Sequence, residues 1–230
     1  MDHLDFTAMD NSDPSLEGGF VPIYDREVST DIRIAESTHG REQGSLETLR
    51  VKVLVLGEGR NLSTVKVELS SENDLFFHYV HIVDTLSYRG LQETQRLMID
   101  FPDYPSVVVK MLNCCIKEPN GFMSVLSMSN HGTGRLDFIQ NVEYKFVELM
   151  SLEFAQSPHD VTKQQISHRY NTMKAKMYTM HNRLQEIHTV IKVKNPSLLL
   201  QLQRTESRTS QQLLHPSKYT SRGNSKLLRG

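Results

Sequence analysis

Tryptophan is absent from this 230-residue chain and cysteine nearly so. The two cysteines, Cys114 and Cys115, are adjacent. At the end of a helix such neighbours form no ordinary disulfide, and with no spaced partners they form no metal cluster. A reducing compartment is expected. No apolar run approaches the ~20 residues that a membrane-spanning helix needs. The acidic start Met1-Asp2-His3-Leu4-Asp5 lacks the basic-then-apolar pattern of a secretion signal, so a soluble cytosolic protein is expected. Net charge is also lacking: a formal −1 gives no overall pull toward nucleic acid or membrane, and any electrostatic attraction has to be local.

Catalytic motifs are missing as well. There is no GxGxxG after a strand, no P-loop, no HExxH and no Gly-x-Ser-x-Gly. Gly57-Glu58-Gly59 lacks the following glycine of a phosphate cradle and reads as a hairpin turn. His181 and His188 lie seven apart, whereas a metal pair on one helix needs a spacing of three or four, so both read as solvated. Asp100 beside Phe101 has no partner acid, base or nucleophile nearby and reads as a cap or turn residue. No catalytic, cofactor-binding or metal-ligating residue is expected, and the chain is not expected to be an enzyme.

What is present is concentrated. Hydrophobic residues make up 38% of the chain, enough for a core if gathered into ~100 to 150 residues. Residues 1–47 are rich in Asp, Glu, Ser and Gly without a sustained period, and read as a disordered acidic arm. Within it, Phe20-Val21-Pro22-Ile23-Tyr24 is either unstructured or a sticky piece that docks on the rest of the chain or on a partner. Residues 48–156 read as an α+β head, a mostly antiparallel sheet with short helices. Its first hairpin joins residues 49–56 to 64–69, and a third strand is expected over 75–82. Asp84-Thr85 caps a short helix, residues 96–99 extend again, and a second helix is expected around 107–112, with Asp103 as a cap candidate. Residues 122–128, a turn at Gly132-Thr133-Gly134, and residues 136–154 supply the last strands.

From Ile166 onward apolar residues fall at Ile166, Tyr170, Met173, Met177, Met180, Leu184, Ile187 and Ile191, stepping 4, 3, 4, 3, 4, 3, 4. That is a coiled-coil seam, over a stalk helix assigned to residues 157–193. The alternative, an amphipathic helix packed on its own head, calls for a wider apolar stripe than this one. Three Met and one Tyr in roughly four heptads specify packing poorly, so association through the stalk alone is expected to be weak. Residues 194–230, with Arg204, Arg208, Lys218, Arg222, Lys226 and Arg229 against Glu206, read as a basic disordered tail.

The stretch Ser71-Glu72-Asn73-Asp74-Leu75-Phe76-Phe77-His78-Tyr79 through Leu91, Gln95 and Leu97-Met98-Ile99-Asp100-Phe101, then Tyr104-Pro105, resembles the head domain of the centriolar cartwheel family, the spindle assembly abnormal protein six family. Residues 136–145, with Leu152 and Phe154, are similar to that family's last strands. The resemblance implies two self-association contacts, a coiled coil and a head-to-head contact made by an exposed aromatic on a turn preceding a Lys. The matching positions are Tyr144 and Lys145, with Phe146 as the other candidate anchor; a Tyr replaces the family's Phe, and ordinary strand residues filling their own core are the alternative. The short stalk resembles the short, six-like branch of the family. The implied function is a non-enzymatic structural scaffold of a centriole or basal body cartwheel, or of flagellar or apical cytoskeleton. The implied partners are further copies of the chain, as homodimer and higher oligomer, and other centriolar or flagellar cytoskeletal proteins, with no small-molecule substrate and no membrane insertion. A second expectation, from another class, is a head-and-stalk DNA end-joining scaffold using the basic tail on DNA.

Overall fold

The protein is described here by a computed structural model, which covers residues 13–34, 43–195 and 197. Seven strands follow one another: β1 Val21–Ile34, β2 Gln43–Leu56, β3 Thr64–Ser71, β4 His78–Asp84, β5 Phe122–Met128, β6 Thr133–Val142 and β7 Lys145–Gln156. Two short helices, α1 Thr85–Gln95 and α2 Tyr104–Lys117, lie between β4 and β5, and a long helix, α3 His159–Lys194, follows β7. The strands close into a barrel in the order β1-β2-β3-β4-β7-β6-β5. All pairings are antiparallel except β1 with β5, which is parallel and closes the ring. The chain divides into two compact units at Thr172/Met173, so the barrel and the first turns of α3 form one unit and the rest of α3 belongs to the other.

Alternation builds the barrel core. Val51 and Val53 on β2 and Val65, Val67 and Leu69 on β3 point inward and are buried, as are Leu126, Leu136, Phe138 and Leu152 from the far side. Helix α2 covers the barrel with Tyr104, Val108, Leu112 and Cys115, all buried. The strand-like composition of 107–112 yields to the 3.6-residue period of that face.

The disordered reading of residues 1–47 is overturned wherever the structure describes them. Pro14–Leu16 forms a 3-10 turn and β1 pairs along most of β2. Inward positions of β1 hold Tyr24, Val28 and Ile32, and between them the buried Thr30 shares a hydroxyl–hydroxyl hydrogen bond of 3.0 Å with Ser124. Outward positions carry Asp25, Glu27 and Ser29. An apolar residue at every fourth position with a Thr between looks polar in a window average, although it lines one face of a strand. Residues 1–12 and 35–42 of the expected arm, and the expected basic tail beyond Ser197, lie outside the described residues.

Three smaller expectations also shift. The third strand begins at His78, because Asp74 turns the chain by accepting Phe76 N–H at 2.9 Å on its side chain and Phe77 N–H at 3.1 Å on its carbonyl. Residues 96–99 pair with no strand: Arg96 takes the left-handed conformation (φ 54°) that ends α1, and the Ile99 carbonyl accepts Tyr88 O–H and Gln92 Nε2–H instead. Asp84 caps α1 in a capping box with Ser87, but Asp103 makes no side-chain cap on α2.

The seam between β4 and β7 is the barrel's weak join, paired only at Tyr79–Gln156 and Val80–Ala155. Side chains replace the missing ladder. Gln95 donates from Nε2 to Ser151 O (2.8 Å) and accepts Ser151 N–H on Oε1 (2.9 Å), as a neighbouring strand would. His81 binds Glu153 O at 2.7 Å through Nδ1. A carbonyl only accepts, so Nδ1 carries the proton, and Nε2 accepts Tyr104 O–H at 3.0 Å.

Candidate self-association surfaces

The β6–β7 hairpin overruns its neighbour. Phe122, the first residue of β5, pairs with Gln140, so Asn141 to Phe146 stand past the end of β5 as a two-stranded tip. Its base is pinned by Asn141 N–H to Gly121 O (2.8 Å) and Asn141 Nδ2–H to Asn120 O (3.3 Å). The turn is tight: Glu143 has a φ of +26°, and Tyr144 N–H donates to Val142 O. Tyr144 is 94% exposed and Phe146 63%, with Lys145 between them. Neither aromatic fills the barrel core, so of the two sequence readings for these positions the core one is removed.

A shallow depression of about 400 Å³ lies along the outer face of α2, lined by Ser106, Val109, Lys110, Asn113, Cys114 and Lys117, with Glu118 at its end. These residues recur at i, i+3, i+4 and i+7, opposite the face that α2 buries in the barrel. Val109 and Cys114 give it an apolar floor, and the Lys stems add apolar wall under a polar rim. Sequence reasoning missed this surface, because five of its seven residues are polar and only the helical phase brings them together.

Helix α3 presents two different faces. In its first turns Thr162 and Gln165 are buried, and Arg169 donates to Ser71 O at 3.0 Å. The seam residues fall elsewhere: Ile166 is half-buried, while Tyr170, Met173, Met177, Met180, Leu184 and Ile187 are exposed and Ile191 is half-buried.

The docked face meets a buried polar cluster that the sequence reading did not anticipate. Ser15 Oγ donates to Glu68 (2.6 Å) and accepts from Lys52 (3.2 Å) and Gln165 Nε2 (3.0 Å). Lys66 pairs with Glu68 (3.0 Å), donates to Ser15 O (2.8 Å), and lies 4.3 Å over the Phe20 ring. Burial opposes the charge on Asp13, but Lys52 and the Ser15 N–H outweigh it and hold the carboxyl below its ordinary range. His78, bonded to Ser157 Oγ at 2.8 Å, is pushed down by burial, against the pull of Glu68. The signal that could have exposed this cluster is Lys52, Lys66 and Glu68 at outward positions of adjacent strands, a mixed-charge patch that calls for a polar cover.

No helix among the described residues is long and apolar enough to cross a membrane. The basic tail on which the DNA-scaffold reading rests lies almost entirely outside them.

Residues 22–154 match the family model described as the Centriolar protein SAS N-terminal domain. A zebrafish (Danio rerio) Spindle assembly abnormal protein 6 homolog is 30% identical over 95 residues, covering 38% of this chain and 15% of that protein. The chicken (Gallus gallus) homolog is 22% identical over 146 residues, covering 60% of this chain and 23% of that protein. The chain thus covers less than a quarter of either relative. Among solved structures, an N-terminal fragment of Leishmania SAS-6 containing parts of its coiled coil domain matches with a TM-score of 0.63 at 18% identity, covering 78% of this chain and 98% of the fragment. An N-terminal fragment of Drosophila melanogaster Sas-6 dimerised via the coiled-coil domain matches with a TM-score of 0.63 at 16% identity, covering 86% of this chain and 95% of that one. These likenesses agree with the mostly β barrel and its few helices, and with the family model covering more than half of the sequence they make the chain a member of the centriolar SAS N-terminal domain family.

Proposed function

We propose that this protein is a non-enzymatic scaffold of a microtubule-based organelle, a centriolar or basal-body cartwheel or the related flagellar or apical cytoskeleton, and that it works by associating through two surfaces. The first is the head-to-head contact: Tyr144 and Phe146 of one copy seat in the α2 depression of another, and by two-fold symmetry the exchange is mutual. The exposed aromatic pair on the protruding β6–β7 tip carries this reading. An exposed aromatic in a two-residue turn costs solvation and serves no packing in its own chain. The Tyr hydroxyl, which a purely apolar pocket would leave unpaired, meets Ser106, Asn113 and Glu118 at the rim. The second surface is the α3 seam. One aromatic anchor per side gives weak pairing, Kd on the order of micromolar to millimolar, so assembly depends on several contacts acting together.

Sedimentation of the full chain tests the head contact. Tyr144→Glu and Phe146→Glu, both at exposed positions, are expected to weaken association at least about ten-fold without lowering the thermal midpoint, and Val109→Glu, half-buried in the depression and packed against the core, to weaken association as well while lowering the midpoint. Unchanged association in all three removes the contact.

A further inference from the structure

Two neighbouring phenylalanines part company just before β4. Phe77 is buried, its ring 4.9 Å from that of Tyr79, whereas Phe76 is 59% exposed and Leu75 before it is 50% exposed. Hydrogen bonds hold the loop in this shape. Ser71 Oγ accepts Asn73 N–H at 3.1 Å and Asp74 N–H at 3.3 Å, and the Asp74 side chain accepts Phe76 N–H at 2.9 Å. A side chain thus turns the backbone at each end of the loop, and Phe76 stands outward from a fixed backbone.

The same loop is fastened to α3. Arg169 donates to Ser71 O at 3.0 Å, and the Phe76 ring stacks on His159, the first residue of α3, with centroids 6.4 Å apart and planes 7° from parallel. The heptad steps show which side of the helix this is. With Tyr170 at a and Ile166 at d, the same steps continued upstream put Lys163 at a and His159 at d. Thr162 and Arg169 fall at g and Gln165 at c, on the face that docks against the barrel. On a helical wheel d lies next to g. Phe76 therefore sits where the docked face meets the seam, at the end of the seam nearest the barrel. At that end α3 itself offers only Lys163 and His159, both exposed.

We infer that Phe76, with Leu75 beside it, completes the α3 seam at its head end and is the part of the stalk-pairing surface that the barrel supplies to a second copy of this chain. This rests on the reading of α3 as a self-pairing seam and extends that seam onto the head. Continuity with the seam names the occupant. In a parallel pair of identical helices d meets d, so His159 faces His159 of the second copy, and each Phe76, stacked on its own His159, borders the junction. The apolar stripe that stops at Ile166 in the sequence then runs on through one aromatic from each copy. Pairing withdraws from water a ring that its own chain leaves more than half exposed. A ring on a fixed backbone also specifies packing better than the flexible thioethers at Met173, Met177 and Met180. Antiparallel pairing would place the two loops at opposite ends, so the contact favours the parallel arrangement.

The experiment uses the full chain carrying Tyr144→Glu and Phe146→Glu, so that head-to-head contacts do not contribute, and reads association by sedimentation equilibrium. Phe76→Ser is expected to weaken pairing at least about ten-fold. Met98→Ser, at an apolar residue 98% exposed elsewhere on the head, is expected to leave it unchanged, and Met177→Glu, in the seam itself, to abolish it. The chain has no tryptophan, so Phe76→Trp introduces a single indole at the site. Its emission is expected to move to shorter wavelength as concentration rises through the pairing range, and to stay fixed when Met177→Glu is also present.

Provided that Met177→Glu abolishes pairing, either of two results overturns the inference while keeping the seam. One is pairing left intact by Phe76→Ser; the other is an indole emission that does not move as pairing proceeds. Weakening by Met98→Ser equal to that by Phe76→Ser also overturns it, since any exposed apolar residue would then serve. Pairing insensitive to Met177→Glu, or no pairing at any concentration, removes the seam reading and this extension with it.

Discussion

At the scale of single residues, His81 shows how a polar group can sit inside the barrel wall. It is buried between β4, β7 and α2, and burial pushes its pKa down to about 4 from the ordinary 6.5. Its proton sits on Nδ1 toward Glu153 O, and Nε2 must stay unprotonated to accept the Tyr104 hydroxyl. Between pH 6.5 and about 4 the unfolded chain takes up a proton that the folded chain refuses. Stability is therefore fully present above pH 6.5 and falls as the pH drops toward 4, by up to roughly 3 kcal/mol from this residue. His78, also pushed down by burial, acts in the same direction. Urea midpoints of the full chain at pH 7 and pH 5 should show the loss, and His81→Gln should flatten the slope between them. An equal midpoint at both values would mean that His81 is not held neutral. Tyr104→Phe, which leaves Nε2 without its donor, should cost about 1–3 kcal/mol at pH 7.

Among the elements, the informative contrast is between β1 and α3. Helix α3 was legible because its signal is periodic and long: eight apolar residues at alternating steps of 4 and 3 survive any local irregularity. The β2–β3 hairpin was legible for the same reason at a period of two. Strand β1 was not, since Thr30 sits at a buried position and the residues around it carry both signs of charge. A window average sees an acidic coil where the sheet sees one apolar face. The tip residues Tyr144 and Phe146 were found through a resemblance of motif and then placed by burial, whereas the α2 depression needed the helix phase. The polar cluster under the Pro14–Leu16 turn was the least legible, because it joins residues more than a hundred positions apart through one hydroxyl. That hydroxyl makes a sharp prediction for the element it secures. Ser15→Ala removes the acceptor for Lys52 and Gln165 and the donor to Glu68, all within a buried or half-buried site. It should cost about 1–3 kcal/mol in denaturant unfolding and raise amide exchange across residues 159–172, with the β5–β6 hairpin unaffected. Protection unchanged in that segment would show that the turn does not hold the start of α3.

For the molecule as a whole, the consequence of β1 is closure. It is the strand that pairs with β2 on one side and, in parallel, with β5 on the other, so without it the barrel becomes an open sheet with two unpaired edges. Tyr24, Val28 and Ile32 bury their side chains in the common core, at about 1.5–3 kcal/mol each, before either ladder of hydrogen bonds is counted. That sum is of the same order as the 5–15 kcal/mol that holds an ordinary domain folded. A boundary drawn at residue 48, as composition suggests, therefore cuts through the fold rather than beside it. Two truncations separate the contributions. Removing residues 1–20 takes away the Pro14–Leu16 turn but keeps β1, and the shortened chain should still unfold cooperatively with a lowered midpoint. Removing residues 1–34 should abolish cooperative unfolding and drive aggregation through the bared edges of β2 and β5, as seen by calorimetry and light scattering. A cooperative, monomeric barrel after the longer truncation would show that β5 and β2 close without β1. The acidic-looking segment would then be a cover on the barrel and not one of its staves.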